Sequence, residues 1–425
     1  MESRADTIAA ISTAPGRGGI AVVRVSGPDS WAVAEKVTGR RLCADDAGRF
    51  FRARFADVDD GILLVFHGPR SYTGEDAVEL QGHGGSVAPR RVLEACLAAG
   101  ARLARRGEFT ERAFLNGRLD LSAAEAVIDL IDARTDRAAT DAFARLGGAL
   151  ARPLERLYAA AIGLSSRLEH ALDVDEGELP DGFRAEVEEE IASIASQTKA
   201  LIATAHEGRL LREGALVVLA GAPNAGKSSL MNALLGENRV IVGENAGTTR
   251  DSVEEGLTVG GWPIRLTDTA GLRFAADAVE AEGVNRAETL IAKADFVLAL
   301  DCDIPGALRL HAKCDLDAPD ENSAVGLHVS AKTGEGLDSL KAAIAARLDE
   351  ANASVAESCG ADVTVRQKGL LLNAAAALER ARQAVDWAVA ATEVRTAAEE
   401  IGRTVGKTYS DDLLEALFSR FCVGK

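Results

Sequence analysis

G-A-P-N-A-G-K-S runs from Gly221 to Ser228, and D-T-A-G follows at Asp268–Gly271. The first string lies between an apolar run, A-L-V-V-L-A (215–220), and a helix-like one, S-L-M-N-A-L-L (229–235). Strand, glycine-rich loop and helix in that order are the setting of a phosphate-binding loop. Its glycines let successive backbone N–H groups turn inward, and the positive end of the helix adds to the pull on phosphate. Lys227 supplies charge to the terminal phosphates, and Ser228 can ligate Mg²⁺. The spacing therefore predicts an α/β nucleotide-binding domain around residues 215–348.

Other segments fit a switch that senses the last phosphate. In G-T-T-R-D (247–251), Thr249 is the expected second protein ligand to Mg²⁺. Asp268 ends the apolar strand P-I-R-L-T and can hold the metal through water, while the N–H of Gly271 can meet the γ-phosphate. For the base, A-K-C-D (312–315) stands where GTPases usually carry Asn-Lys-x-Asp. Asp315 can accept hydrogen bonds from the ring N–H and amine of guanine, which adenine does not offer. Ala312 cannot supply the amide contacts of the usual asparagine, which predicts a GTP preference with weakened affinity. Ser330-Ala331-Lys332 lies where a supporting base loop belongs. A P-loop ATPase is the competing assignment.

Leu272 follows D-T-A-G where many GTP switches carry a glutamine that orients water. An isobutyl group cannot do that work, so hydrolysis must be arranged otherwise. Glu280 is a candidate to place the water, set against its reading as one more solvated carboxylate. Asn224 could offer an oxygen to an added cation that supplies charge in the site.

The 425 residues leave room for two or three domains, with 47% hydrophobic, 27% charged and 4% aromatic residues. The six cysteines are scattered without a C-x-x-C pair, which argues against a disulfide framework or zinc site and fits a reducing cytosol. No signal peptide and no apolar run long enough to span a bilayer is evident, so the expectation is a cytoplasmic protein without a membrane partner. The net charge of −17 argues against a general nucleic-acid binder. One exception is residues 89–118, where seven arginines face three glutamates. They read either as an ordinary solvated face or as a local anion site.

Upstream, residues 7–25 read as two strands, with further strands at 50–56, 61–67 and 76–81 and helices at 29–38 and 87–99, a compact α+β domain. From Asp120 helical periodicity takes over, with Ser122 and Glu125 as a capping box and stripes through 154–172 and 184–212. It returns at 366–401 and 411–421. Two helical stretches flanking the β/α block predict a discontinuous helical domain with the nucleotide domain inserted; three consecutive domains are the alternative.

The whole chain resembles the tRNA-modification GTPases of the MnmE (TrmE) family. The likeness rests on D-T-I-A-A-I-S-T-A-P-G-R-G-G-I-A-V-V-R-V-S-G (6–27), S-Y-T-G-E-D-A-V-E-L-Q-G-H-G-G (71–85) and R-R-G-E-F-T-E-R-A-F-L-N-G-R-L-D-L (105–121), with G-A-P-N-A-G-K-S-S, G-T-T-R-D, D-T-A-G-L-R and the terminal F-C-V-G-K (421–425). The resemblance implies an N-terminal tetrahydrofolate-binding and dimerisation domain (1–117), a helical domain in two parts (118–213 and 352–425) and an inserted P-loop GTPase domain (214–351). It implies a homodimer that works with MnmG (GidA), a flavoprotein using FAD and NADH. Together they would add a carboxymethylaminomethyl or aminomethyl group to carbon 5 of the wobble uridine of tRNA, taking a one-carbon unit from a 5-formyl or 5,10-methylene tetrahydrofolate. K⁺ and GTP would pair the GTPase domains and so activate hydrolysis.

By motif position the resemblance implies a K⁺ site at Asn224, Gly243, Asn245 and Thr248, and Glu280 as the water-orienting acid. The nucleotide would meet Asn224, Ala225, Gly226, Lys227, Ser228 and Ser229, then Gly243, Glu244, Asn245, Ala246, Gly247, Thr248 and Thr249. Asp268, Thr269, Ala270 and Gly271, and Lys313, Asp315, Ser330, Ala331 and Lys332 complete that set. Folate would meet Arg24, Glu79, Arg118 and Lys425, where relatives often carry lysine in place of Arg118. Glu79 could bond the amino edge of a pterin, and the cations its glutamate tail. Cys422 closes the terminal motif and is implied to matter for the modification chemistry; taken alone it reads as core filler. A ribosome-assembly or regulatory GTPase without modification chemistry is the alternative, and it has no need of the folate-like segments or the terminal Cys-Val-Gly-Lys.

Overall fold

The computed structural model describes residues 6–173, 179–238, 254–268, 288–315, 326–352 and 362–425. The chain forms two compact units, residues 1–128 with 402–425 and residues 129–401.

The first unit is built on a six-stranded sheet of β1 (Ile8–Ile11), β2 (Ile20–Ser26), β3 (Phe50–Phe55), β4 (Asp59–Phe66), β5 (Ala77–His83) and β6 (Arg102–Leu103), in the order β3-β4-β5-β2-β1-β6. Neighbours are antiparallel except β1 and β6. Alternation along these strands sends Val23, Val25, Leu63, Val65, Val78 and Leu80 to one face. There they pack against Val33, Ala34 and Val37 of α1 (Ser30–Thr38) and Val92 and Cys96 of α2 (Ala88–Ala98). On the other face α3 (Glu108–Leu115) contributes Phe109, which clusters with Ile8, Ala10 and Ala104. Sequence periodicity had given no signal for β6 or α3, which are only two and eight residues long.

Two expectations need correction here. Asp120, not Ser122, caps α4 (Leu121–Asp132): its carboxylate accepts the Ala123 N–H at 2.9 Å, worth about 1 kcal/mol. Ser122 is a fully buried residue inside the helix. The run 411–421 is not one helix either. The last helix of the unit spans Asp411–Phe418, capped by Ser410, and Phe421 to Val423 leave it to form a bridge with Arg106.

In the second unit, α5 (Asp136–Leu146), α6 (Ala151–Leu172) and α7 (Phe183–Glu213) lead into a second six-stranded sheet. Its strands are β7 (Ala215–Gly221), β8 (Glu254–Val259), β9 (Trp262–Asp268), β10 (Phe296–Leu300), β11 (Leu308–Ala312) and β12 (Leu327–Val329), ordered β12-β11-β10-β7-β9-β8. All pairs are parallel except the β8–β9 hairpin. Strands buried on both faces explain the unbroken apolar run of β7. Helix α8 (Lys227–Asn238) follows β7, and α9 (Leu337–Asn352) buries Leu340, Ile344 and Leu348 against the sheet core.

The chain then returns to the helices it left. The periodic run 366–401 is two helices, α10 (Val365–Gln383) and α11 (Trp387–Val405), parted at Ala384–Asp386. Helix α10 packs along α7. At the return point Val363 N–H donates to Thr204 Oγ1 at 3.1 Å, its carbonyl accepts from Arg212 at 2.9 Å, and Asp362 N–H donates to Asp141 at 3.2 Å. Gly208 makes this closure possible, since a Cβ there would stand 2.5 Å from the Asp362 Cβ. Burial, with Asp141 and Glu207 nearby, pushes the Asp362 carboxyl up to about 7 against the pull of Arg212 and Arg145. The helical segments thus enclose the α/β block in sequence, as a discontinuous domain with an insertion.

Candidate functional site

The described nucleotide candidates gather where β7, β9, β11 and β12 end. Gly221 closes β7 at φ +155°, and a Cβ there would meet the Leu300 carbonyl at 2.7 Å. Asn224 takes a left-handed conformation at φ +64°, a strained position that asparagine tolerates better than most residues. The turn is fastened by Ala225 N–H to Ala222 O at 3.2 Å, and Gly226 O accepts the first helical bond from Leu230 at 2.9 Å. Ala225 and Gly226 are half-buried, whereas Ser228 and Ser229 are exposed. Lys227 is buried, its ammonium donating to the carbonyls of Gly221 and Ala222, both at 2.8 Å. Its charge is thereby held inside the loop's own curve.

Ser228 Oγ donates to Asp268 Oδ2 at 2.7 Å, so the two expected metal-linked oxygens lie together although forty residues separate them. Hydroxyl and carboxylate oxygens suit a hard divalent cation such as Mg²⁺.

The base loop is also assembled. Lys313, at φ +59°, sends its ammonium to the Asn224 carbonyl at 3.1 Å and so braces the phosphate loop. Ser330 is fully buried; its hydroxyl donates to Asp315 Oδ1 at 2.7 Å and accepts the N–H groups of Lys332 at 3.3 Å and Thr333 at 3.2 Å. Asp315 is thus aimed while remaining exposed, and Ala331, next to Ser330 in the chain, is half-buried. Asp301 was not foreseen: it turns at φ +50° and accepts the Ala312 N–H at 3.3 Å, fixing the strand end where the asparagine is missing. Gly243, Glu244, Asn245, Ala246, Gly247, Thr248, Thr249, Thr269, Ala270, Gly271, Leu272, Arg273 and Glu280 lie outside the described residues.

In the first unit three of the four folate candidates converge. Arg24 and Glu79 are register partners on β2 and β5, joined through Glu79 Oε1 at 2.9 Å from Nε and 2.8 Å from Nη2. The Arg24 guanidinium lies 5.1 Å from the Tyr72 ring centre and 5.6 Å from that of Phe109. Its Nη1 is buried with no hydrogen-bond partner among the described residues. Lys425 Nζ is 5.8 Å from the Tyr72 ring. Burial, then the charge of Arg24, pulls the Lys425 amine below its usual range, with Glu79 opposing.

The terminal strip is stitched in by Ser12 Oγ to Gly424 O at 3.0 Å, Gly107 N–H to Cys422 O at 3.3 Å and Arg106 Nε to Phe421 O at 2.9 Å. Cys422 itself is exposed, so it is not core filler. Arg118 is exposed and donates to the Ser71 carbonyl at 3.2 Å, at the foot of the loop that carries Tyr72. Tyr72 and Phe109 were missed as site residues; the S-Y-T-G-E stretch flagged the loop without marking its aromatic ring.

Four of the seven arginines in the arginine-rich segment are ion-paired, and of the seven Arg112 is the buried one. Arg90 pairs with Glu94, Arg102 and Arg112 with Asp6 and Glu108, and Arg105 with Glu111, while Arg106 and Arg118 serve carbonyls. Much of this network lines a cleft of about 650 Å³ that also borders Tyr409 and Phe418. Among the described residues no helix is long and apolar enough to cross a membrane.

Comparison with known proteins covers the whole chain. A family model described as the GTP-binding protein TrmE N-terminus matches residues 7–118, and one described as the MnmE helical domain matches residues 121–422. The tRNA modification GTPase MnmE of Symbiobacterium thermophilum is 42% identical over 99% of both chains. That of Azoarcus sp. is 42% identical over 99% of this chain and 98% of its own. That of Xanthomonas campestris pv. campestris is 41% identical over the full length of both.

Proposed function

The chain belongs to the MnmE family of tRNA-modification GTPases, and on that footing we propose that it binds GTP with Mg²⁺ and hydrolyses it as part of wobble-uridine modification. The observation that carries the GTPase reading is the Ser228–Asp268 pair beside the buried ammonium of Lys227. Ser228, with Thr249, would hold Mg²⁺, which neutralises phosphate charge as it develops. Lys227 would exchange the Gly221 and Ala222 carbonyls for phosphate oxygens. Asp315, aimed by Ser330, would accept the guanine ring N–H and amine.

With Leu272 in place of an amide, Glu280 would place the attacking water. K⁺ on Asn224, Gly243, Asn245 and Thr248 would add charge when two GTPase domains pair. The exposure of Asn224 within the phosphate loop supports that role, since its side-chain oxygen is open to an added cation.

For the modification chemistry we assign Arg24, Glu79, Arg118 and Lys425 to a tetrahydrofolate derivative, 5-formyl or 5,10-methylene, which supplies the one-carbon unit. The unpartnered Arg24 Nη1 and the Tyr72 and Phe109 rings fit a flat, polar-edged ligand. Cys422 stands exposed on the strip that ends in Lys425, which supports a role in that chemistry. The product would be a carboxymethylaminomethyl or aminomethyl group on carbon 5 of uridine, made with the flavoprotein MnmG, its FAD and NADH. A homodimer is supported by exposed Ile20, Phe50 and Ile62 on the sheet face turned from α1 and α2. The setting is the cytoplasm, in keeping with five described cysteines that are all free.

The reading is tested by mass spectrometry of tRNA nucleosides from a strain lacking the protein. Loss of the wobble-uridine modification is expected, and an unchanged nucleoside profile defeats the proposal. GTP turnover should fall when Na⁺ replaces K⁺; equal rates defeat the cation-assisted account.

A further inference from the structure

Trp262 opens β9 and Asp268 closes it. Seven residues at ~3.3 Å each make the strand a rod about 20 Å long between a buried indole and the metal-linked carboxylate. β7 runs parallel beside it, with Val217 paired to Leu266 and Leu219 to Asp268, and ends in the phosphate loop. A shift of β9 along its axis would therefore move Asp268 against Ser228.

The Trp262 end is clamped from outside the sheet. The indole is fully buried, and its Nε1 donates to Asp349 Oδ1 on α9 at 3.0 Å. The Arg137 guanidinium, from α5, lies 3.9 Å from the ring centre. Its Nη1 donates to the same Asp349 oxygen at 3.0 Å, and its Nη2 to Glu207 of α7 at 2.5 Å. One planar cation thus joins two helices that precede the sheet, the helix that directly follows it, and the hairpin strand leading to the site. The hairpin turn is pressed home as well, since a Cβ on Gly260 would stand 2.4 Å from the Ala345 Cβ on α9. Guanidinium stacking combined with two directed bonds fixes position in a way that an ammonium cannot copy.

We propose that Arg137 is a positioning residue for GTP hydrolysis, acting through Trp262 and Asp349 to set where β9 ends at Asp268; this rests on the GTPase reading above. Through the same contact, nucleotide-dependent movement of the hairpin reaches α5 and α7.

The test uses the full chain, Arg137→Gln and Arg137→Lys, with GTP turnover and ¹⁹F NMR of protein labelled with 5-fluorotryptophan. Three tryptophans give three resonances, assigned with Trp31→Phe and Trp387→Phe. In the wild type the Trp262 resonance should differ between a non-hydrolysable GTP analogue and GDP. In Arg137→Gln that difference should collapse, with kcat down about tenfold and KM within about twofold, as misplacement of a catalytic group predicts. Arg137→Lys should recover only part of kcat. An unchanged kcat and an unchanged resonance difference overturn the proposal. So does a loss of activity that merely follows the unfolded fraction. A wild type that binds but does not hydrolyse GTP sinks the GTPase reading instead, and the ¹⁹F comparison still decides the clamp.

Discussion

Ser228 donates its hydroxyl hydrogen to Asp268 across 2.7 Å, tying the first turn of α8 to the end of β9. Each group satisfies the other within the protein, and each is an oxygen that a divalent cation can take over. Ser228→Ala leaves the carboxylate without this donor and removes one metal ligand. GTP turnover followed across a Mg²⁺ titration should fall by roughly 100-fold or more at saturation. Full turnover at high Mg²⁺ would show that the hydroxyl is not a ligand.

The candidate for base selection is an aimed carboxylate, Asp315, braced by Ser330. Asp315→Asn exchanges an acceptor for an amide and should weaken GTP binding by ~100-fold, at about 1.5–3 kcal/mol for each charge-assisted bond lost. Affinity should move toward xanthosine triphosphate, whose ring presents a carbonyl where guanine has its amine. Ser330→Ala keeps the carboxylate but removes its brace, and a loss of about tenfold is expected. Competition binding with a fluorescent nucleotide reads both; an Asp315→Asn variant that keeps its GTP preference would refute the assignment.

Asp362 gives stability a pH dependence of definite sign. Its folded-state pKa of about 7 lies above the ordinary 3.8, so the folded protein binds more protons than the unfolded chain between those values. The associated stabilisation is complete below about pH 4 and is lost as pH rises through 7, by about 4 kcal/mol at most. The wild type should melt at lower temperature at pH 8.5 than at pH 5.5, and Asp362→Asn should narrow that gap. Identical pH profiles for the two proteins would remove Asp362 as the source.

Gly208→Ala runs against helix propensity. Alanine favours a helix interior by ~1 kcal/mol over glycine. Here the added methyl would meet Asp362 Cβ at 2.5 Å and the Arg212 guanidinium nitrogens at 2.9 Å. Net destabilisation of about 2 kcal/mol or more is expected, read by urea unfolding. A neutral or stabilised variant would mean that the return segment at 362–364 does not close on α7.

Local patterns marked the described part of the candidate nucleotide site because its residues sit at fixed spacings around strand ends. Lys227, Ser228, Asp268, Asp315 and Ser330 were all identifiable from their neighbours; Ser228 meets Asp268, and Ser330 meets Asp315. What stayed hidden depends on partners far along the chain. Asp301 is an ordinary aspartate until it accepts the Ala312 N–H, and Tyr72 is an ordinary loop tyrosine until Arg24 and Lys425 approach its ring. Helix α3 was obscured because three of its eight residues, Glu108, Glu111 and Arg112, are charged. Its Glu108 and Arg112 are buried through mutual pairing, which apolar periodicity cannot register. The split between α10 and α11 escaped notice because apolar spacing continues across Ala384–Asp386.

The meeting of Thr204, Gly208 and Arg212 with Asp362 and Val363 makes the sheet domain a detachable loop of the helical scaffold. Its two ends emerge side by side, so a linker of a few residues could replace everything between them and leave α7 and α10 paired. The same adjacency would let the excised domain be circularly permuted, with its old ends fused and new ones opened in a surface turn. During synthesis, α7 leaves the ribosome long before α10 exists. Its apolar stripe must then wait, exposed, while roughly 150 residues are made, so early folding of the sheet domain shortens the search that brings the two helices together.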